Sequence, residues 1–149
     1  MARGGRAAFL PDTSCIIAAL VDWHEHHAAA AREISSRLEA GERLIVAAPA
    51  LIETYAVLTR LPAPHRLSPG DALALLEANL FRHSLVALDA DSYRSLVSNA
   101  PAQSIAGGRT YDAVIARCAV RASAEVILTF NERQFRGLVE GVEIVTPRG

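Results

Sequence analysis

Short apolar runs that end at polar residues alternate along this chain with longer stretches whose apolar positions recur every three to four residues. The first run, Ala7-Ala8-Phe9-Leu10-Pro11, arrives at Asp12, and Thr13 and Ser14 follow at once. Helical spacing then begins at Cys15-Ile16-Ile17-Ala18-Ala19-Leu20. This reads as a buried strand that delivers Asp12 to its C-terminal edge, with Thr13 or Ser14 near the start of the next helix. Asp22 followed by Glu25 has the form of a capping box. It predicts an Ala-rich helix running to about Glu39 and stopped by Gly41. Arg43 to Ala48, centred on Leu44-Ile45-Val46, is a second strand, and Pro49 opens a helix that keeps its spacing to Arg60. Pro62, Pro64, Ser68, Pro69 and Gly70 make a loop, with Ser68 capping a helix from Asp71 to about Phe81.

The second half repeats the alternation. Leu85 to Leu88 is a third strand, and Asp89 and Asp91 begin another helix, where capping is the expected role of both acids and metal ligation the alternative. A loop from Asn99 to Gly108 leads into a helix opening at Arg109-Thr110-Tyr111-Asp112. Val126-Ile127-Leu128 is a fourth strand, Thr129-Phe130-Asn131 stands at its end, and Gln134, Phe135 and Leu138 suggest a short helix. Val142 to Val145 is a last strand. The expected fold is one α/β domain over residues 1–149, its mostly parallel sheet of four to five strands covered by helices on both faces.

Composition changes this picture little. A chain of 149 residues with 51% apolar content buries roughly 70% of its unfolded surface and needs no staples. Cys15 and Cys118 fall within apolar helical patterns without a partner at metal-ligand spacing, and read as small buried hydrophobes. No apolar run approaches the ~20 residues of a membrane helix, and no signal-peptide core follows the basic, Gly-rich Met1 to Arg6. Those six residues are expected to be a disordered start, and the cytoplasm is the expected location. His24, His26 and His27 lack the i, i+4 spacing of helical metal ligands. A surface or structural role is expected for them, with a contact to a partner as the alternative.

Charge matters more. All 15 basic residues are Arg, and Lys is absent. Asp12, Glu53 and Asn131 come just after the first, second and fourth strands, and Asp112 comes at a helix start. Each has a local explanation, a cap or a favourable end of a helix dipole. Together they predict a crevice at the carboxyl edge of the sheet. Three carboxylates gathered there without a Lys repel one another, and their pKa values rise. A divalent cation removes the conflict. Oxygen-only ligands suit Mg²⁺ or Mn²⁺, and a cation so held activates water beside a phosphate. The reaction class expected is phosphodiester hydrolysis. A phospho-receiver domain fits poorly without any Lys, and a haloacid-dehalogenase-like phosphatase fits poorly because Ser14, not Asp, stands two residues after Asp12.

The segments Leu10-Pro11-Asp12-Thr13-Ser14, Pro49-Ala50-Leu51-Ile52-Glu53, Gly107-Gly108-Arg109-Thr110-Tyr111-Asp112-Ala113-Val114-Ile115-Ala116 and Leu128-Thr129-Phe130-Asn131 resemble, in this order, those of PIN-domain proteins, above all VapC-type toxins of bacterial toxin–antitoxin pairs. The resemblance implies a three-layer α/β/α sandwich with strand order 3-2-1-4-5, and a magnesium- or manganese-dependent endoribonuclease inhibited by a cognate antitoxin. It assigns Asp12, Glu53 and Asp112 to the acidic site, with Asn131 at a fourth position that is often Asp in the family. Asp12 and Asp112 are expected to hold Mg²⁺, and Glu53 to position the attacking water. Thr13, Ser14 and Thr129 are the supporting hydroxyls, and Arg109 is a candidate phosphate contact. Asn131 also admits the alternative of a catalytically degenerate PIN domain that binds RNA or protein. The apolar helices after Asp12 and Glu53, with the loop from Leu61 to Pro69, are the expected groove for the antitoxin, and a homodimer is expected. Transfer, ribosomal and messenger RNA all stand open as targets.

Overall fold

Backbone pairing decides where the ends of the strands meet. The computed structural model describes residues 7–148, so the expectation for Met1 to Arg6 lies outside the described residues. The first strand, β1 (Ala8–Pro11), is paired in parallel on one side with β2 (Arg43–Ala47) and on the other with β4 (Val126–Leu128). β3 (Ser84–Val86) lies outside β2, and β5 (Glu143–Val145) lies outside β4. The order β3-β2-β1-β4-β5 is that implied by the family resemblance. Every neighbouring pair is parallel, and seven helices connect and cover the strands among the described residues.

Burial follows position in the sheet. Phe9, Leu10, Ile127 and Leu128 are wholly buried, as strands covered on both faces require. The edge strands β3 and β5 are half-exposed. Pro11 has no N–H to give to a ladder, and it occupies the last position of β1. It stands opposite Leu128, and the next residue, Asp12, donates its N–H to the Leu128 carbonyl at 2.8 Å. Asp12 and Thr129 therefore leave the sheet side by side. This is also where the order of the strands reverses, the crevice in which open parallel sheets carry their sites.

Several boundaries differ from the expectation. The helix α1 (Thr13–Leu20) begins at once after Asp12. The capping box at Asp22 and Glu25 does not form: α2 (His27–Glu39) starts later, behind His26, which makes no side-chain cap. Its start is set instead by His27, whose Nδ1 lies 2.9 Å from the Ala18 carbonyl and so ties the turn to α1. The third strand is Ser84–Val86 rather than Leu85 to Leu88, because its pairing with Ile45–Ala47 fixes its ends and not its apolarity. After α3 (Ala48–Arg60), α4 spans Pro69–Asn79, and Ser68 accepts the Asp71 N–H at 3.1 Å as its cap. Asp89 in turn caps α5 (Ala90–Asn99) through the Ser92 N–H, as expected, whereas Asp91 lies in the first turn and pairs with Arg94 at 2.6 Å instead of capping.

Candidate active site

Asp12 is both the N-cap of α1 and the centre of a closed set of hydrogen bonds. Its Oδ1 accepts from the Cys15 N–H at 3.0 Å and from Ser14 Oγ at 2.7 Å, and its Oδ2 accepts from Thr129 Oγ1 at 2.5 Å. The two hydroxyls are themselves held from the segment after β4. The Phe130 N–H donates to Ser14 Oγ at 3.2 Å, and the Asn131 N–H donates to Thr129 Oγ1 at 2.9 Å. Two hydroxyl bridges thus tie the end of β1 to the end of β4. A carboxylate oxygen has two lone-pair directions, so the network leaves Asp12 one, on Oδ2. Asp12 is only 3% exposed. Burial pushes its carboxyl above the ordinary range against the pull of its three donors, and Glu53 pushes in the same direction. Burial and the same Asp12 charge drive the Cys15 thiol far upward, so Cys15 is packing rather than a nucleophile.

Glu53 and Asp112 come from helices and are held less tightly. Glu53 is exposed on α3 and accepts from Thr13 Oγ1 at 2.7 Å. The first turn of α3 holds no acid, so a helix-dipole role does not account for Glu53. Asp112 lies in the first turn of α6 (Arg109–Arg121) and is half-buried. Its carboxyl is pushed up to about 6, first by burial and then by the Asp12 and Glu53 charges, with Arg109 pulling it down. The N-cap of α6 is Gly108, without a side-chain bond.

Arg109 itself is turned toward the segment after α7 (Glu132–Phe135). Its Nε donates to the Gln134 carbonyl at 3.2 Å and its Nη2 to the Arg136 carbonyl at 2.6 Å. This braces α6 against the segment that follows Asn131, a task its place beside Gly107-Gly108 did not reveal.

Asp12, Thr13, Ser14, Glu53, Asp112 and Asn131 line one cleft of about 930 Å³. Beyond the acids its walls are apolar, with Ile17 of α1, Ile52 and Val57 of α3, and Tyr111 and Val114 of α6. Tyr93 of α5 also lines it. No sequence signal marks that residue, because its place depends on how α5 crosses the sheet. The loop from Leu61 to Pro69 does not line the cleft: it folds back on α3, with the Leu67 N–H on the Leu58 carbonyl.

Among the described residues no three His, Cys, Asp or Glu side chains stand ready as a closed metal cage. The acids flank an open cleft instead. Mg²⁺ tolerates this, because it keeps several waters and takes one or two carboxylates rather than a full protein cage. The donor set is all oxygen, the Asp12 and Glu53 charges add to the burial that raises Asp112, and Arg109 is engaged with carbonyls. A hard divalent cation fits these residues.

Comparison with known proteins agrees with this architecture. Residues 9–138 match the model of the PIN domain family. The chain is 44% identical over 117 residues to Ribonuclease VapC40 of Mycobacterium tuberculosis, covering 78% of this chain and 82% of that protein. It is 37% identical over 115 residues to Ribonuclease VapC27 of the same organism, covering 77% and 79%. Among solved structures, VapBC2 from Rickettsia felis bound to a promoter DNA fragment superposes with a TM-score of 0.69 at 14% identity, over 95% of this chain and 99% of that one. The sarcin-ricin-loop-cleaving toxin VapC20 of M. tuberculosis superposes with a TM-score of 0.65 at 18% identity, over 91% and 98%. From the strand order to the acids at the carboxyl edge, and by sequence over most of its length, the chain belongs to the PIN-domain family and is a relative of the VapC ribonucleases.

Proposed function

We propose that this protein is a metal-dependent endoribonuclease, the toxin of a toxin–antitoxin pair, that hydrolyses RNA phosphodiester bonds in the cytoplasm. The observation that carries the reading is the shared cleft of Asp12, Glu53, Asp112 and Asn131, with Asp112 raised by burial and then by its two acidic neighbours. A bound Mg²⁺ or Mn²⁺ would supply Lewis-acid activation of water and of the phosphate at near-neutral pH. Asp12, through its one free lone-pair direction, and Asp112 would hold the ion. Asn131, on the same cleft, offers a neutral carbonyl oxygen and orients substrate or water without adding to the negative charge. Glu53, exposed and steadied by Thr13, is placed to orient the attacking water and to take its proton. Ser14 and Thr129 keep the Asp12 carboxylate in one orientation. Arg109 positions the α6 start rather than touching phosphate.

The apolar wall beside the acids supports an antitoxin as the inhibiting partner. Ile52 and Tyr111 are 70% and 72% exposed at its rim, and an apolar segment laid there would shut the cleft. Among the described residues no helix is long and apolar enough to cross a membrane.

The deciding experiment is cleavage of transfer and ribosomal RNA by antitoxin-free protein with Mg²⁺, Mn²⁺ or EDTA. Discrete fragments that require metal, and that vanish in Asp12→Asn and Asp112→Asn, are the expected result. Cleavage indifferent to both substitutions would overturn the assignment. Folded, metal-binding protein that leaves all RNA intact would favour the degenerate binding module, with Asn131→Asp as the variant to restore activity.

A further inference from the structure

The turn between α1 and α2 carries planar side chains that the chemistry above does not use. Trp23 stacks on His65 of the α3–α4 loop, with ring centroids 4.0 Å apart. Three residues on, His26 stacks on Phe130, with centroids 4.5 Å apart and the planes 13° from parallel. His24 lies between them in sequence, its ring 5.7 Å from that of His26 and its Nδ1 accepting the His26 N–H at 3.0 Å. Phe130 sits between Thr129, which holds Asp12, and Asn131, which lines the cleft. The strip therefore adjoins the acidic site through the Phe130 backbone, whose N–H is bound to Ser14, while its rings stand outside the cleft lining. It is open to solvent, with Trp23 49% exposed and the His26 side chain 47%.

We infer that the strip from the Trp23–His65 stack to the His26–Phe130 stack is a base-stacking platform that receives unpaired bases of the RNA substrate beside the catalytic acids. This rests on the ribonuclease reading and names the part of the substrate that the site grips. Aromatic faces bind splayed-out bases of single strands and loops, and tolerate all four bases because each has a π-face. The charge at the turn offers phosphate no partner, so any grip on a strand there falls to the flat faces. Glu25, 82% exposed, lies 3.6 Å from His26, and Asp22 is exposed on the same turn. Carboxylates there repel a phosphate backbone and leave the flat faces as the attractive feature. The platform is also rigid before substrate arrives, because His27 is tied to the Ala18 carbonyl and the Phe130 N–H to Ser14.

Trp23 is the chain's one tryptophan, so its emission reads the platform directly. The probe is a single-stranded RNA of about eight nucleotides, within the usual site sizes, titrated into the wild-type protein in EDTA, beside a duplex of the same length. Saturable quenching of Trp23 by the single strand and little by the duplex is expected. Anisotropy of a labelled strand is expected to show binding weakened about tenfold by Trp23→Ala or His65→Ala and kept by Trp23→Phe. In cleavage with metal, the same alanine variants should raise KM and leave kcat near wild type. Unchanged emission and unchanged KM in Trp23→Ala, with Asp12-dependent cleavage intact, would overturn the platform and leave the nuclease standing. Quenching without any cleavage would keep the platform and sink the nuclease. Emission that moves with protein concentration alone, and not with RNA, would assign the strip to a contact between copies and overturn the proposal.

Discussion

Thr129 and Thr54 are both completely buried, yet their hydroxyls live differently. At the end of β4, Thr129 Oγ1 accepts from the Asn131 N–H and donates to Asp12. In the middle of α3, Thr54 Oγ1 has no hydrogen-bond partner among the described residues. A buried hydroxyl without a partner costs about 1–3 kcal/mol, while one that completes a charge-assisted pair is among the stronger bonds a fold makes. The difference separates a region built around one carboxylate from one that is ordinary helix packing. It also explains why Asp12 stays fixed at the sheet edge while Glu53, one residue before Thr54, is exposed and, among the described residues, held by Thr13 alone.

The comparison breaks most severely at Asp12 itself. Asp12→Asn puts an amide, with two donors on one side, into a pocket that presents three donors. We expect a stability loss of about 1–2 kcal/mol in urea unfolding, because removing the buried charge offsets part of the mismatch, and RNA cleavage at least about 100-fold slower, since even residues that only orient metal ligands cost that much. Thr129→Val removes one bond from Asp12 and strands the Asn131 N–H, at about 2 kcal/mol. Cleavage should fall about tenfold. Equal effects of Thr129→Val and Thr54→Val on both readouts would erase the distinction.

What the sequence made legible follows the same division. Asp12 and Thr129 could be placed because each ends a short apolar run, and parallel pairing of two such runs brings their next residues together. The fold class was legible for the same reason. Glu53 was placed near the crevice, but its position in the second turn of α3 depended on the helix starting at Ala48 rather than Pro49. The capping box at Asp22 had the right letters. The turn instead follows the His27 bond to Ala18 and the stacking of His26 on Phe130, contacts between residues 9 and 104 apart that no local pattern encodes. Arg109 reads as a free charge beside two glycines until Gln134 and Arg136 are brought against it, 25 and 27 residues away. The strength of the central strands is local and readable, while the walls of the cleft come from crossovers.

Asp112 sharpens the comparison through pH. Its carboxyl titrates at about 6 in the folded protein, above the ordinary carboxylate value of about 3.9. The folded state thus holds more protons than the unfolded chain between those values, and stability falls as pH rises through that window. Asp12 is shifted the same way, so it adds to the slope. His83, held below its ordinary value by burial and Arg82, opposes it. Melting temperatures of metal-free wild type should therefore drop between about pH 4 and pH 6.5 relative to Asp112→Asn, which shares the other two groups. Adding Mg²⁺ should raise the melting temperature more at the higher pH. Parallel curves for the two proteins would remove the electrostatic argument that a cation belongs in the cleft.

The smallest effect has the opposite sign. Thr54→Val replaces an unpartnered buried hydroxyl with a methyl of similar size, so unfolding in urea should show a gain of about 1 kcal/mol. Cleavage should be unchanged, because Thr54 does not line the cleft. Thr13→Val, which removes the hydroxyl bond to an exposed glutamate, should change stability by less than about 0.5 kcal/mol. Its cleavage rate should still drop, since Glu53 is then free to turn away from the cleft. If Thr54→Val instead destabilises the protein, its hydroxyl is satisfied by something other than protein, such as an ordered water. The two buried threonines would then be alike in holding a partner and would differ only in what that partner does.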